Sequence, residues 1–205
     1  MSNVGQIERR TQNRIVRLFQ RELAYTYLGN WEDRQNNHNL EEELLKRYLK
    51  GRGYSEKLIG RAWYELTRAA GNQNKSLYEI NKDVYGLLRY GIQVAAEVGD
   101  QHQTVWLIDW QNPLNNHFAI AEEVTVSGEH TKRPDIVLYI NGIAVGVLEL
   151  KRSTVSVSEG IRQNLGNQER HFIQPFFTTI QLIMAGNDTE GLRYATIETP
   201  EEYLS

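Results

Sequence analysis

One stretch, residues 133–151, constrains the fold of this chain more than any other. Its two β-rich apolar runs flank Asn141-Gly142, a dipeptide that is typical of tight hairpin turns. The stretch therefore predicts two antiparallel strands. Three charged residues stand at its mouth: Asp135 opens the first run, and Glu149 and Lys151 close the second.

Whether these three side chains meet depends on the turn. Side chains alternate between the two faces of a strand, so Glu149 and Lys151 share one face. A flat two-residue turn places Asp135 on the other face. A three-residue turn ending in a left-handed Gly142 pairs Asp135 with Val147, which brings it to the face of Glu149. We therefore expect an odd-length turn or a bulge.

Two carboxylates and a lysine on one face suit the hydrolysis of a phosphodiester. Carboxylate oxygens are hard ligands that Mg²⁺ accepts together with phosphate oxygens of a substrate. The ion acidifies a water and neutralises phosphoryl charge, while a lysine orients that water or stabilises the pentavalent state. The alternative is structural, because such a pair at a strand end can be a solvated edge or an ion pair of little energetic weight.

The pattern Pro134-Asp135, thirteen further residues, then Glu149-x-Lys151 resembles the PD-(D/E)XK nuclease superfamily. Within it, the residues around these positions resemble the N-terminal endonuclease region of the R subunit of type I restriction enzymes, and so does Trp31-Glu32-Asp33-Arg34 upstream. The resemblance implies an α/β fold with a restriction-endonuclease-like core. We expect a mixed central sheet flanked by helices, preceded by an N-terminal helical region.

The resemblance also implies the activity, a Mg²⁺-dependent DNA endonuclease. Its metal ligands would be Asp135, Glu149 and the backbone carbonyl of Leu150, and Lys151 would complete the catalytic set. Related nucleases carry Gln-x-x-x-Tyr on the next helix; here a glutamine matches, and an asparagine stands where the tyrosine would be. The expected DNA contacts are Gln163, Asn167 and Arg133.

The family further implies partners. Double-stranded DNA would be cut in a complex with methylation and specificity subunits, coupled to ATP-driven translocation by a C-terminal motor region of the full-length chain. No P-loop pattern occurs in this sequence, so we expect no ATP site here and a piece of a longer protein. Two alternatives are a non-catalytic regulatory or assembly module of the same subunit and a repair nuclease of the same fold.

The net charge of −3 gives no global polybasic signature, so any DNA contact must come from a local patch. Four arginines, Arg10, Arg14, Arg17 and Arg21, fall on one face of the first predicted helix. They could contact phosphates, or they could form a solvated or docking face. The absence of cysteine excludes disulfides and thiolate zinc sites, and the lack of a signal region or a long apolar run predicts a cytoplasmic protein without membrane contact.

Hydrophobic periodicity predicts a helical region over residues 1–90, followed by a region rich in strands. With the resemblance, we expect the helical region to pack on a nuclease core over residues 91–205, in one compact domain. Capping boxes are expected at Ser76 with Glu79 and at Ser156 with Glu159. An additional acidic ligand from a helix, Glu79 or Glu65, is left open. The predicted helices span about 4–28, 40–51, 58–66, 76–88 and 156–170, and the strands outside the hairpin span 91–94, 104–110, 118–126, 178–185 and 192–197.

Overall fold

The computed structural model describes residues 3–204, with side chains from residue 9 onward. The helices are α1 (Asn3–Arg21), α2 (Glu42–Gly51), α3 (Glu56–Ala70), α4 (Leu77–Tyr90) and α5 (Val157–Asn167). The strands are β1 (Thr26–Asn30), β2 (Ile92–Val94), β3 (Gln103–Val105), β4 (Phe118–Glu122), β5 (Ile136–Ile140), β6 (Ile143–Leu150), β7 (Leu182–Asn187) and β8 (Gly191–Ala195).

The central feature is a six-stranded mixed sheet with the order β1-β4-β5-β6-β7-β8. β1 pairs parallel with β4, and β6 pairs parallel with β7, while the other pairs are antiparallel. β2 and β3 form a separate two-stranded sheet. Helices flank the central sheet, so the predicted α/β class is confirmed.

Both faces of the sheet are covered, which explains why its strands lack a clean polar alternation. On one face, Val16 of α1 packs with Ile136 and Leu148. On the other face, Val137 and Val147 pack in a cluster that also contains Phe177. Helix α5 lies on that second face, against β6 and β7.

The first helix is shorter than predicted. It ends at Arg21, and Ala24 adopts a left-handed conformation with φ of 56°. The chain then reverses into β1, an edge strand that the helix prediction over residues 4–28 missed. The prediction was wrong here because the apolar residues Tyr25, Tyr27 and Leu28 fit a helical period and a strand equally well. The division at residue 90 stays a prediction, although β1 belongs to the central sheet.

Of the two expected capping boxes, one forms. The Ser76 hydroxyl accepts from the Glu79 N–H, and the Glu79 carboxylate accepts from the Ser76 N–H, 2.9 Å away. Glu79 is thereby used as a cap, and Glu65 pairs with Arg68; a metal-binding role of either carboxylate stays a prediction.

At the second position the box was wrongly predicted, although Ser156 does cap α5. Its hydroxyl accepts from the Ser158 N–H, and Glu159 instead pairs with Arg162. The helix ends at Asn167 rather than near residue 170.

The later strands are displaced from their predicted bounds. Residues Gln174–Thr178 form a 3-10 helix, so β7 begins at Leu182. The side-chain amide of Asn81 stabilises this segment by donating to the carbonyls of Phe177, Thr178 and Ile180. The strand predicted over residues 104–110 is reduced to β3. Among the described helices, none has the length and apolar character needed to cross a membrane.

Candidate active site

The hairpin of β5 and β6 contains the irregularity that a joint site requires. Its turn has two residues, because Ile140 pairs with Ile143. The register then shifts by one residue, since Tyr139 pairs with Ala144 whereas Leu138 pairs with Gly146. Val145 is therefore an extra residue, a β-bulge in β6.

The bulge brings the charged residues to one face. Beyond it, Ile136 pairs with Leu148, so Asp135 falls opposite Glu149. Residues directly opposite in an antiparallel pair share a face. The expectation of a bulge is confirmed, whereas the three-residue turn and the pairing of Asp135 with Val147 are wrong.

Asp135 is held by two hydrogen bonds that it accepts from backbone N–H groups. Its side-chain Oδ2 accepts a hydrogen bond of 2.6 Å from the N–H of Leu150, and its carbonyl accepts one of 2.8 Å from the N–H of Glu123. These contacts join the start of β5 to the ends of β6 and β4, so the Asp135 carboxylate is held at the mouth of the hairpin beside Glu149.

Lys151 connects the second strand to α5. Its Nζ donates to Oε1 of Glu149 at 2.8 Å and to Oε1 of Gln163 at 2.6 Å. Glu149 is 2% exposed, so the ammonium offsets the desolvation of a buried carboxylate. The structure thus brings Asp135, Glu149, Lys151 and Gln163 together at one edge of the sheet.

Gly160 lets α5 approach this group closely, and the sequence prediction missed it. A β-carbon at this position would lie 3.1 Å from Cβ of Ala185, 3.4 Å from Cγ of Lys151 and 3.5 Å from Cγ of Glu149. A glycine inside a helix costs about 1 kcal/mol relative to alanine. A glycine in the middle of a predicted helix is therefore a sequence signal that the position serves close packing.

Glu123 is a second residue that the sequence prediction missed. It is 9% exposed and has a φ of 52°, a conformation that is costly for a residue with a side chain. Its carboxylate lies 2.9 Å from Nε of Arg133, which also pairs with Glu32. Arg133, expected to contact DNA, is therefore held by two carboxylates, and its contact with DNA stays a prediction.

Asn167, the other expected DNA contact on α5, is only 2% exposed. Helix α5 turns this side toward β7, where the neighbouring Asn164 donates to the carbonyl of Met184 at 2.8 Å. A buried side chain is poorly placed to contact DNA directly, so its position favours a packing role. His130 packs near His171 and Phe172.

The donor set fits one hard divalent cation. Asp135 and Glu149 supply carboxylate oxygens, and the carbonyl of Leu150 lies between Glu149 and Lys151 in the chain. The three side chains Asp135, Glu149 and Lys151 carry a formal net charge of −1, so a cation is electrostatically favoured there. Within residues 3–204, no group of three or more His, Cys, Asp or Glu side chains is arranged to hold a metal.

The site lies at the ends of β5 and β6, which are two central strands of the sheet. A cavity of about 600 Å³ occurs elsewhere, lined by residues that include Arg34, His38 and Trp63. None of the four site residues lines it.

The sequence matches a known protein family. The model of the family described as type I restriction enzyme R protein N terminus matches residues 6–202. The chain belongs to this family. It is the N-terminal domain of a type I restriction enzyme R subunit, and its hairpin and α5 lie within the matched range.

Two curated relatives are similar over part of their length. The EcoprrI endonuclease subunit of Escherichia coli is 25% identical over 95 residues, which cover 45% of this chain and 30% of that protein. The SsaAORF53P endonuclease subunit of Staphylococcus saprophyticus is 28% identical over 108 residues, which cover 52% of this chain and 11% of that protein. Both are named as type I restriction enzyme subunits, and the matched segment spans less than a third of either.

Proposed function

We propose that this R-subunit domain hydrolyses DNA phosphodiester bonds at the mouth of the β5–β6 hairpin, as a PD-(D/E)XK nuclease. The observation that carries the proposal is the bulge at Val145. Without it, Asp135 and Glu149 would point to opposite faces. The bulge disrupts ladder pairing, so a feature of this kind next to a charged cluster supports a functional role.

Asp135, Glu149 and the carbonyl of Leu150 would hold Mg²⁺, which supplies Lewis-acid stabilisation of phosphoryl charge and an acidified water. The hydrogen bond from the Leu150 N–H keeps the Asp135 carboxylate oriented before any ligand arrives. Preorganisation of this kind lowers the cost of assembling the site during the reaction.

Lys151 would orient the attacking water or stabilise the developing negative charge on the phosphoryl oxygens. Its contacts with Glu149 and Gln163 hold the ammonium in position. Gln163 is exposed and accepts with Oε1, so its Nε2 donor group remains available to a phosphate oxygen of DNA. Arg133 would reach DNA only after exchanging its carboxylate partners.

We extend the proposal to the whole enzyme. Cleavage would be coupled to ATP-driven translocation by a motor region of the R subunit, and methylation and specificity subunits would complete the complex. Double-stranded DNA is the substrate that this assembly implies. The names of the curated relatives, both endonuclease subunits, support this proposal.

A regulatory role without catalysis is the second candidate, and one observation favours it. The ion pair between Lys151 and Glu149, 2.8 Å long, accounts for the burial of Glu149 without a metal. Under this alternative the site would have no carboxylate-dependent affinity for a divalent ion.

Calorimetric titration with Mn²⁺ and Mg²⁺ separates the two functions, using wild type, Glu149→Gln and the control Glu159→Gln. Glu159 is an exposed carboxylate on α5. Changes next to metal ligands already cost about 10- to 100-fold in affinity, so Glu149→Gln should weaken binding at least tenfold, and the control should bind like wild type. Nicking of supercoiled plasmid should decline in parallel. Equal metal binding by all three proteins would overturn the nuclease proposal.

A further inference from the structure

The exposed face of α1 carries an unusual concentration of positive charge. The segment from Arg9 to Arg21 contains five arginines and no acidic residue, in a chain whose net charge is −3. Its opposite side is apolar, and Val16 packs on the sheet. Packing therefore fixes the rotation of the helix and turns the arginines to the surface, where all five are exposed.

Three of these arginines form no ion pair within the part of the chain whose side chains are described. Arg14 pairs with Asp188, and Arg9 lies 3.9 Å from Glu123. Arg10, Arg17 and Arg21 have no such carboxylate. Among the described side chains, these three arginines therefore leave uncompensated charge on one face of α1.

The four arginines at positions 10, 14, 17 and 21 are spaced by four, three and four residues, which aligns them along the helix. At about 1.5 Å per residue the row is about 16 Å long. A row of this length spans several phosphates of a duplex, because duplex DNA carries one charge per about 1.7 Å of helix axis. We call these four residues the arginine row.

The arginine row lies near the end of the sheet that holds the candidate active site. Gln12 donates to the Glu122 carboxylate at 3.1 Å, at the end of β4. The next residue, Glu123, donates its N–H to the carbonyl of Asp135. The middle of α1 therefore lies near the same end of the sheet as Asp135. The helix packs on the face of Ile136 and Leu148, which is opposite to the face that carries Asp135 and Glu149.

We infer that the arginine row binds the phosphate backbone of a stretch of double-stranded DNA that passes over the exposed face of α1. This inference rests on the proposed function, because it takes DNA as the ligand of this domain. The contacts are to phosphates and carry no sequence information. The domain would thus bind any duplex, with an affinity that depends on salt.

The test measures binding of a random-sequence duplex at several salt concentrations by fluorescence anisotropy. The variant Arg17→Gln/Arg21→Gln removes two charges away from the catalytic edge. The control Arg47→Gln/Arg61→Gln removes two exposed arginines of α2 and α3 that also form no ion pair with a described side chain. Circular dichroism confirms that each protein is folded.

Each lost phosphate contact should reduce the slope of log K against log salt by about 0.9. The row variant should therefore lose about 1.8 from the slope, equally for unrelated sequences, and the control should keep the wild-type slope. An unchanged slope in the row variant, or a wild-type protein that binds no duplex at low salt, would overturn the inference. An acidic protein surface would then be the partner to test.

A third protein, Lys151→Ala, separates this inference from the nuclease proposal. Lys151 lies at the hairpin mouth, so this variant should lose cleavage and keep most of the salt slope. If wild type cleaves DNA and the row variant binds DNA like wild type, only the inference about the arginine row is overturned. If the row variant lowers the salt slope but wild type shows no metal-dependent cleavage, only the nuclease proposal is overturned.

Discussion

The carboxylate oxygen Oδ2 of Asp135 lies 2.6 Å from the backbone nitrogen of Leu150. This hydrogen bond joins the residue before β5 to the last residue of β6. Asp135 therefore has a structural role as well as a proposed role in metal binding. The two roles can be separated, because an asparagine keeps an acceptor oxygen and loses the charge.

Asp135→Asn should keep the stability of the fold and weaken metal binding, whereas Asp135→Ala should lower both. The asparagine oxygen can still accept from the Leu150 N–H, so we expect a change of less than about 1 kcal/mol in the free energy of unfolding. The alanine variant leaves that N–H without its acceptor, at a cost of about 1–3 kcal/mol. Both should weaken Mn²⁺ binding at least about tenfold. Urea denaturation and calorimetry measure the two effects. Wild-type metal affinity in Asp135→Asn would contradict the assignment.

Gly160→Ala should destabilise the protein and disturb the site. The added methyl would meet Cβ of Ala185 at 3.1 Å, and Ala185 is fully buried in β7. Overpacking costs about 1–3 kcal/mol, which outweighs the gain of about 1 kcal/mol in helix propensity. We expect a lower melting temperature. Because the methyl also approaches Lys151 and Glu149, the rate of DNA cleavage should fall by more than the loss of stability alone would cause.

The matched control for this change is Gly166→Ala on the same helix. No atom lies within 4 Å of a β-carbon at that position, so only the propensity gain applies, and the melting temperature should stay equal or rise. If the two variants melt alike, the close approach of α5 to the site is not what requires glycine at position 160.

Asn141→Gly should be strongly destabilising, although glycine suits the turn. Asn141 has a φ of 53° and is completely buried. Its amide donates to the carbonyl of Leu107 and to Asn116, and its oxygen accepts from the N–H of His117. Loss of these three bonds at about 1 kcal/mol each predicts a loss of about 3 kcal/mol, measurable by urea denaturation.

Asn36→Gly provides the comparison for Asn141→Gly. Asn36 has a similar φ of 59° but is exposed, so the substitution should change stability by less than about 0.5 kcal/mol. A similar loss in both variants would show that backbone conformation, rather than the buried hydrogen bonds, sets the cost.

Tyr27 predicts a defined pH dependence of stability. Burial, and then the hydrogen bond of 2.7 Å to Glu122, raise the pKa of Tyr27 from 10.0 to about 12. Between these values the unfolded chain loses the phenol proton while the folded chain keeps it, so stability that is complete below pH 10 is lost as the pH rises toward 12. The free energy of unfolding should therefore fall more steeply over this window in wild type than in Tyr27→Phe. An equal fall in the free energy of unfolding of both proteins over this pH window would contradict the prediction.

The hairpin and most helices could be predicted because their signals are local. Asn141-Gly142 occupies a turn with positive φ at both residues, and Ser76 with Glu79 forms the expected box. Gln163 lies beside Lys151, where the resemblance placed it. The turn and the capping box depend on residues close in sequence, whereas the position of Gln163 came from the resemblance.

The features that could not be predicted depend on distant partners. No residue type marks Val145 as the bulge, because its position is set by pairing across β5. The strained backbone of Glu123 and its contact with Arg133 become visible only when β4 and the segment before β5 are adjacent. β1 was missed because it is defined by its partner β4 rather than by its own sequence.

The extra residue at Val145 determines which lengths of the hairpin keep Asp135 and Glu149 on one face. Thirteen residues separate Asp135 from Glu149, and with a two-residue turn an odd count is compatible with a shared face only if one position is unpaired. A single insertion or deletion would exchange inward and outward side chains over the rest of the strand. Homologous hairpins can therefore differ in length by two residues freely, but a difference of one must be accompanied by the gain or loss of a bulge.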